Sequence, residues 1–368
     1  MDRAGLWCLV AAVALTVVLS GCEADRQTSL STSCRGKETL IASGSSAQAI
    51  AMERFIAAYE KACPGHSLRY TSNGSGAGVA GFLAGRIDFA GTDSPIIRGS
   101  AEWVAAVERC GGTEPWNLPL AFGPIAITYN VFGVDSLVLD GPTIAKIFRG
   151  RLTSWDAPEI VALNPDVDLP PQPIVVLYRG DESGTTDNFQ RYLQATAGDA
   201  WGRGAGKAFR GGVGWARQGN EGTSAAIPRT PGSITYTEWS FAQKQQLPSA
   251  QIVNRAGSEP VTLSADSAAS SVAGIAVIGQ GNDLLLDIAA LYQPTRREAY
   301  PIMLATYEVV CSKYPDRATA EAVREFVGAA MSDGQLELAD VGYVPLPDSL
   351  IGRLKQAVGS IAWAEDWK

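Results

Sequence analysis

Residues Pro119–Asn130 read "PLAFGPIAITYN", an apolar run in which two prolines and a glycine argue against a helix and the β-branched residues argue for extended chain. A counterpart lies far downstream at Tyr300–Cys311, "YPIMLATYEVVC". Strand-like and helix-like segments alternate before the first run, from Glu38 onward, and again between the two. That alternation predicts an α/β protein with mostly parallel sheets. Two long extended segments bracketing a middle block predict a chain that leaves one domain and later returns to it. The first domain then holds both ends of the mature chain. At 368 residues, the protein exceeds what one compact core usually accommodates, which agrees with two domains.

The local patterns support this layout. "ETLIAS" reads as a strand and "AQAIAMERFIAAYEKA" as a helix carrying Ile50, Phe55, Ile56 and Tyr59 on one face, ended by Pro64-Gly65. "SLRYTS" and "RIDFAG" read as strands separated by the short helix "AGVAGFLAG"; later, "PIVVLYRG" is a strand leading into the helical "DNFQRYLQA". The Gly-rich patch Gly202–Gly214 reads as a long loop.

The N-terminus reads as an address. The apolar run from Leu6, "LWCLVAAVALTVVL", is too short to span a bilayer comfortably and ends in "LSGC" at Cys22. Small residues before a cysteine resemble a bacterial lipoprotein signal (residues 1–21), with Cys22 acylated; a plain secretory signal is the alternative. Residues 22–37 are polar and lack aromatics, as a flexible tether would. Lipid on Cys22 would hold a soluble body at a membrane. Cys34, Cys63, Cys110 and Cys311 remain in an oxidising setting. They predict two disulfides, with three connectivities open and spacings too wide for a compact zinc motif.

Hydrophobic content of 46% with 18% charged residues describes an ordinary soluble body. A net charge of -8 argues against nucleic acid or an anionic membrane surface as partner. The single histidine, His66, follows a helix end in "CPGH" and reads as a solvent-exposed turn residue. Without a second histidine, a Ser–His–Asp hydrolase has no other base to use.

Three strand-to-helix junctions share a design: "ASGSSAQ" (Ala42–Gln48), "SNGSGAGVAG" (Ser72–Gly81, with Ser75 at the cap) and "YRGDESGTT" (Tyr178–Thr186). Free backbone N–H groups, the positive end of the helix dipole and nearby hydroxyls make such junctions ready anion sites. Plain N-capping by serine explains any one of them; three of them, split between both domains, point to binding. Gly76–Gly81 formally matches G-x-G-x-x-G, with Glu102 at a suitable distance. Yet 39 glycines make chance matches easy, and its helix is too short for a dinucleotide crossover. "GRGAGKA" lacks the spacing and terminal hydroxyl of a phosphate loop. Arg179-Gly180-Asp181 spells an adhesion tripeptide but sits at a strand end. Asp93, just past the strand in "DFAGTDSP", would repel a fully ionised oxyanion and becomes useful only toward a ligand that still carries a proton.

The set "GSSAQ", "SNGSGAGVAGFLAGRIDFAGTDSP", "YRGDESGTTDNF" and "GSITYTEWSFA" resembles the phosphate-binding subunit, PstS type, of bacterial phosphate ABC transporters, over nearly the whole mature chain. The resemblance implies a type II periplasmic-binding-protein fold: two α/β lobes joined by crossing hinge strands, lobe I from 38–128 plus 304–368 and lobe II from 129–303. It implies phosphate contacts from Ser45, Ser46, Ala47, Ser75 and Asp93 on one lobe and from Arg179, Ser183, Gly184 and Thr185 on the other. Asp181 pairs with Arg179. Where the family often has an aromatic, this chain has Ala47; a backbone contact there survives, while the packing of the ring does not. Arg179 can fork onto phosphate oxygens while Asp181 holds the guanidinium. Losing one charge-assisted bond should cost roughly 1.5–3 kcal/mol. The implied protein is a monomeric, lipid-anchored receptor on the extracytoplasmic side of the cell membrane, handing phosphate to permease subunits with no cofactor, no metal and no chemistry of its own. The rival readings are a receptor for another oxyanion, a serine-dependent phosphomonoesterase, and an adhesion protein.

Overall fold

The run Pro119–Asn130 lies within a 16-residue strand, Pro115–Asn130, buried at every position but the last. The structure, a computed structural model, describes residues 34–364. The expected signal peptide (1–21), the lipidation site Cys22 and the tether up to residue 33 lie outside the described residues. Numbered along the chain, the strands are β1 (Thr39–Gly44), β2 (Ser67–Ser72), β3 (Phe89–Thr92), β4 (Pro115–Asn130), β5 (Val138–Asp140), β6 (Val175–Arg179), β7 (Trp215–Arg217), β8 (Ser233–Glu238), β9 (Gln251–Val253), β10 (Pro260–Val261), β11 (Met303–Cys311), β12 (Lys313–Tyr314) and β13 (Ala362–Trp363). Eight of them form one sheet in the order β2-β1-β3-β11-β4-β8-β6-β7.

Each end of this sheet is a parallel α/β unit. β1 runs parallel to β2 and β3, and β6 runs parallel to β7 and β8. The two units meet through β4 and β11, which pair antiparallel. β4 belongs to both: it pairs with β11 from Pro115 to Pro124 and with β8 from Ile125 to Asn130. Its prolines fall where a central strand tolerates a missing N–H. Pro115 is the first residue, Pro119 borders the irregularity opposite Thr306/Tyr307, and Pro124 precedes the change of partner. The crossing pair read from sequence is therefore present, with β11 starting at Met303 rather than at Tyr300.

The first seven helices among the described residues are α1 (Ala49–Ala62), α2 (Ser75–Leu83), α3 (Ala101–Arg109), α4 (Gly141–Phe148), α5 (Pro158–Leu163), α6 (Gly184–Ala197) and α7 (Gly219–Ala226). The buried face of α1 is Ala51, Met52, Phe55, Ala58 and Tyr59, whereas Ile50 and Ile56 pack only at its margin. Phe55 and Tyr59 thus lie where the periodicity placed them; the two isoleucines do not, because the small residues Ala51 and Ala58 allow close approach. The helix Arg317–Ala330 packs on the same face, where Phe326 meets Tyr59 edge-on and stacks on Phe89. Residues 202–214 form the expected long loop, without regular structure.

The disulfides pair Cys34 with Cys63 and Cys110 with Cys311, each with Cα atoms 5.4 Å apart. The second fastens the end of α3 to the end of β11. Residues 34–37, expected as the end of a flexible tether, are docked instead. Besides the disulfide, the Arg35 amide donates to Glu325 Oε1 at 3.1 Å and Lys37 Nζ reaches the Asp88 carboxylate at 2.9 Å. His66 is not the solvent-exposed residue expected. It is half-buried, lies edge-on to Tyr59, and its Nε2 is 3.3 Å from the Gly36 carbonyl, because the docked segment covers it.

Candidate functional site

The carboxyl ends of the parallel strands converge at the centre of the sheet, the usual ligand position in an open α/β fold. Ser45, Ser46 and Ala47 follow β1; Ser75 follows β2; Asp93 follows β3. Arg179 is the last residue of β6, with Asp181 and Ser183 in the turn beyond it and Gly184 and Thr185 opening α6. All nine expected contact residues, together with Asp181, are thereby brought into one region, and the hydroxyl-bearing ones, Asp93 and Arg179 are each no more than 2% exposed.

Two of the serines do something other than cap a helix. The residue capping α2 is Gly74, at φ 98°, and Ser75 is one position further on. Ser75 Oγ accepts the Asp93 amide at 3.2 Å. Ser45 Oγ accepts the Ala47 amide at 3.0 Å and donates to Asp93 Oδ2 at 2.7 Å. Ser183 does cap: its hydroxyl accepts the Thr186 amide at 3.2 Å. The plain capping explanation therefore accounts for the third junction's serine alone.

Arg179 is held as a fork. Its Nε donates to Asp181 Oδ1 at 2.8 Å, Nη2 donates to Asp181 Oδ2, and Nη1 donates to Thr185 Oγ1 at 3.3 Å. Asp181 also accepts the Gly219 amide at 3.0 Å. Burial alone would raise the Asp181 carboxyl; the Arg179 guanidinium and that amide outweigh it and hold the group below the usual carboxylate range. Asp93 goes the other way. Burial pushes it up to about 7, against the opposing pull of the Ser45 hydroxyl and Arg179, with Asp181 and Asp187 adding to the rise. Its Oδ1 is buried and has no protein partner among the described residues.

The two α/β units touch through glycine at Gly184. A Cβ there would lie 2.6 Å from Ser75 Oγ and 2.7 Å from Asp93 Cβ, so only a bare Cα fits. Further bonds cross the same seam. The Gly76 amide donates to the Glu182 carbonyl at 2.9 Å, Ser94 Oγ to Asp187 Oδ2 at 2.5 Å, and Asn188 Nδ2 to the Asp93 carbonyl at 2.8 Å. Lys207 Nζ meets Glu102 Oε1 at 2.6 Å, which gives the residue weighed as a nucleotide partner a structural role instead.

Sequence reasoning missed four participants. Asn188 and Asn220 each bond across the seam, and Glu238 and Glu308 are fully buried carboxyls beside the site. Burial pushes both glutamates well above the usual range, with Asp93 adding to the rise. Asn220 follows β7 just as the other site residues follow their strands. However, β7 is three residues long and largely exposed, so its periodicity carried no signal. Among the described residues no group of three His, Cys, Asp or Glu is arranged to hold a metal ion, and no helix is long and apolar enough to cross a membrane.

The profile of the PBP superfamily domain matches residues 30–333. A Mycobacterium leprae protein named phosphate-binding protein PstS 3 is 52% identical over 360 residues, covering 95% of this chain and 97% of that protein. A Mycobacterium tuberculosis protein of the same name is 55% identical over 336 residues, covering 91% and 90% respectively. Among solved structures, a high-affinity periplasmic phosphate-binding protein with bound phosphate superposes at a TM-score of 0.69, with 21% identity, over 87% of this chain and 93% of that one. That likeness speaks to the fold, the type II periplasmic-binding arrangement of two α/β lobes about crossing strands. The identities carry the rest: the chain belongs to the PstS family of phosphate-binding proteins.

Proposed function

We propose that this protein is an extracytoplasmic receptor that captures inorganic phosphate between two lobes and delivers it to an ABC-type importer. Lobe I comprises residues 38–128 plus 304–368 and lobe II residues 129–303, with β4 and β11 as the crossing strands between them. Ser45, Ser46, Ala47, Ser75 and Asp93 face the anion from lobe I, and Arg179, Ser183, Gly184 and Thr185 from lobe II. Asp181 holds the Arg179 fork in place. Cys22 carries the lipid that keeps the body at the cell membrane, where the permease subunits lie.

The observation that carries the reading is an imbalance in hydrogen-bonding capacity. Among the residues assigned to face the anion, hydroxyls, the opening amides of α6 and one guanidinium supply donors, and Asp93 Oδ1 is the carboxylate oxygen left without a protein partner among the described residues. A buried dianion needs a dense set of donors to offset its lost hydration. An acceptor among them suits an oxyanion that retains one proton. Hydrogenphosphate has it; sulfate at neutral pH does not. Family membership supports the same ligand.

The esterase reading is disfavoured by the placement of His66, which is occupied by Gly36 and Tyr59 rather than set beside a site serine. The adhesion reading is disfavoured by Arg179, which is 2% exposed. A crystal grown with phosphate tests the assignment. The anion should lie within hydrogen-bond distance of Arg179, Thr185 and Asp93 Oδ1; an anion bound elsewhere with this site unchanged would reject it.

A further inference from the structure

Asn220 is fully buried in the first turn of α7. Its Oδ1 accepts the Glu238 amide at 2.9 Å and the Thr237 hydroxyl at 3.3 Å. Because an amide N–H must find an acceptor, this fixes which way the Asn220 side chain points: oxygen toward β8, nitrogen toward the site. The Nδ2 group then donates to Ser46 Oγ at 3.1 Å and to Thr185 Oγ1 at 3.2 Å. Ser46 stands on one side of the seam and Thr185 on the other.

A hydroxyl has one proton to give and two lone pairs to fill. Ser46 Oγ accepts from both the Asn220 amide, at 3.1 Å, and Asn220 Nδ2. Thr185 Oγ1 accepts from Arg179 Nη1 and Asn220 Nδ2. Both hydroxyls therefore have their accepting capacity taken up by N–H groups, and each keeps only its proton to offer. A hydroxyl in that position cannot turn its lone pairs toward a ligand.

We propose that Asn220 is a positioning residue that fixes the proton direction of Ser46 and Thr185, so that both act as obligate donors to the bare oxygens of the anion. This rests on the phosphate reading above. Asn220 sets the donor side of the site, and Asp93 sets the acceptor side. The same bonds fasten Ser46 to the opposite unit, so positioning and closure share one side chain. Asp181 braces the arrangement by accepting the Gly219 amide next to it.

A double-mutant cycle on phosphate affinity tests this, with thermal unfolding as the control for folding. Asn220→Ala should weaken phosphate binding by about 10-fold or more, the loss expected for two misdirected donors. In a Ser46→Ala or a Thr185→Val background the same substitution should have an effect at least roughly three-fold smaller, because it acts through those hydroxyls. Where Asn220→Ala fails to fold, Asn220→Ser keeps the backbone bond to Ser46 yet cannot span both hydroxyls, and the cycle is run with it. Strict additivity in both backgrounds, or an unchanged affinity in the single variant, overturns the assignment while leaving the phosphate reading intact. A wild-type protein that takes up no phosphate overturns both.

Discussion

The Ser45 hydroxyl donates to Asp93 Oδ2 at 2.7 Å, while the other oxygen of that carboxylate is buried without a protein partner among the described residues. Such a group is uncomfortable when charged. Its pKa in the folded protein is pushed up to about 7 from an ordinary 3.8. The folded state therefore keeps the proton over a range in which the unfolded chain has already lost it. The stability this group supplies is whole below about pH 4 and disappears as pH rises toward 7. In phosphate-free buffer, Asp93→Asn should thus gain on the wild type between pH 5 and pH 7 by about 2–3 kcal/mol. Urea titrations at several pH values measure the gap. A gap that is flat or narrows with rising pH contradicts the assignment.

Arg179→Lys keeps the charge and loses the fork. An ammonium cannot hold both oxygens of Asp181 and still reach Thr185. Phosphate affinity should fall by roughly 10–100-fold, corresponding to one charge-assisted bond of about 1.5–3 kcal/mol. Competition binding with labelled phosphate reads this directly. Retention of wild-type affinity would show that the guanidinium does not face the anion.

Gly184→Ala places a methyl group against Ser75 and Asp93 across the seam. The added atom forces the two α/β units apart by overpacking, at about 1–3 kcal/mol. The expected outcome is a loss of phosphate affinity by a factor of about ten or more, together with a larger radius of gyration in the presence of phosphate by solution scattering. A variant that closes and binds like the wild type would mean that the observed seam is not the bound arrangement.

The disulfides should differ in worth. Cys110–Cys311 spans a sequence separation of 201 and Cys34–Cys63 one of 29. In the chain-entropy picture the longer loop constrains the unfolded state more, and removal of either costs about 2–5 kcal/mol. Replacing Cys110 and Cys311 by serine should lower the denaturation midpoint further than replacing Cys34 and Cys63. The reverse order would contradict that account.

What the sequence revealed, and what it hid, has a physical pattern. The crossing strands were visible because fifteen of the sixteen residues of β4 are buried, which leaves an unbroken apolar run. The three main junctions were visible because glycine and hydroxyl residues follow clear strands. The disulfide pairing was not, since it depends on which helix and strand ends meet in space. Asn220 was hidden behind a short exposed strand. The docked segment 34–37 was read as tether because its composition is polar, while the disulfide and the Lys37–Asp88 pair that hold it are tertiary. The cover over His66 is hidden from the sequence for the same reason. Ser75 lies one residue past the cap because Gly74, at positive φ, takes the cap position itself.

In the proposed reading, two halves of one sheet aim hydroxyls, amides and a clamped guanidinium at a guest that brings one proton for Asp93. Calorimetric titration of the purified protein at about pH 8.5, where Asp93 has lost its proton while phosphate and arsenate each keep one, with phosphate, arsenate and sulfate in turn tests this most directly. Phosphate and arsenate, both protonated, should bind with one site per chain, and sulfate should give no heat at concentrations that saturate with phosphate, since a buried carboxylate facing a bare oxygen supports discrimination of about 10⁴–10⁵. Sulfate binding within ten-fold of phosphate would contradict the account.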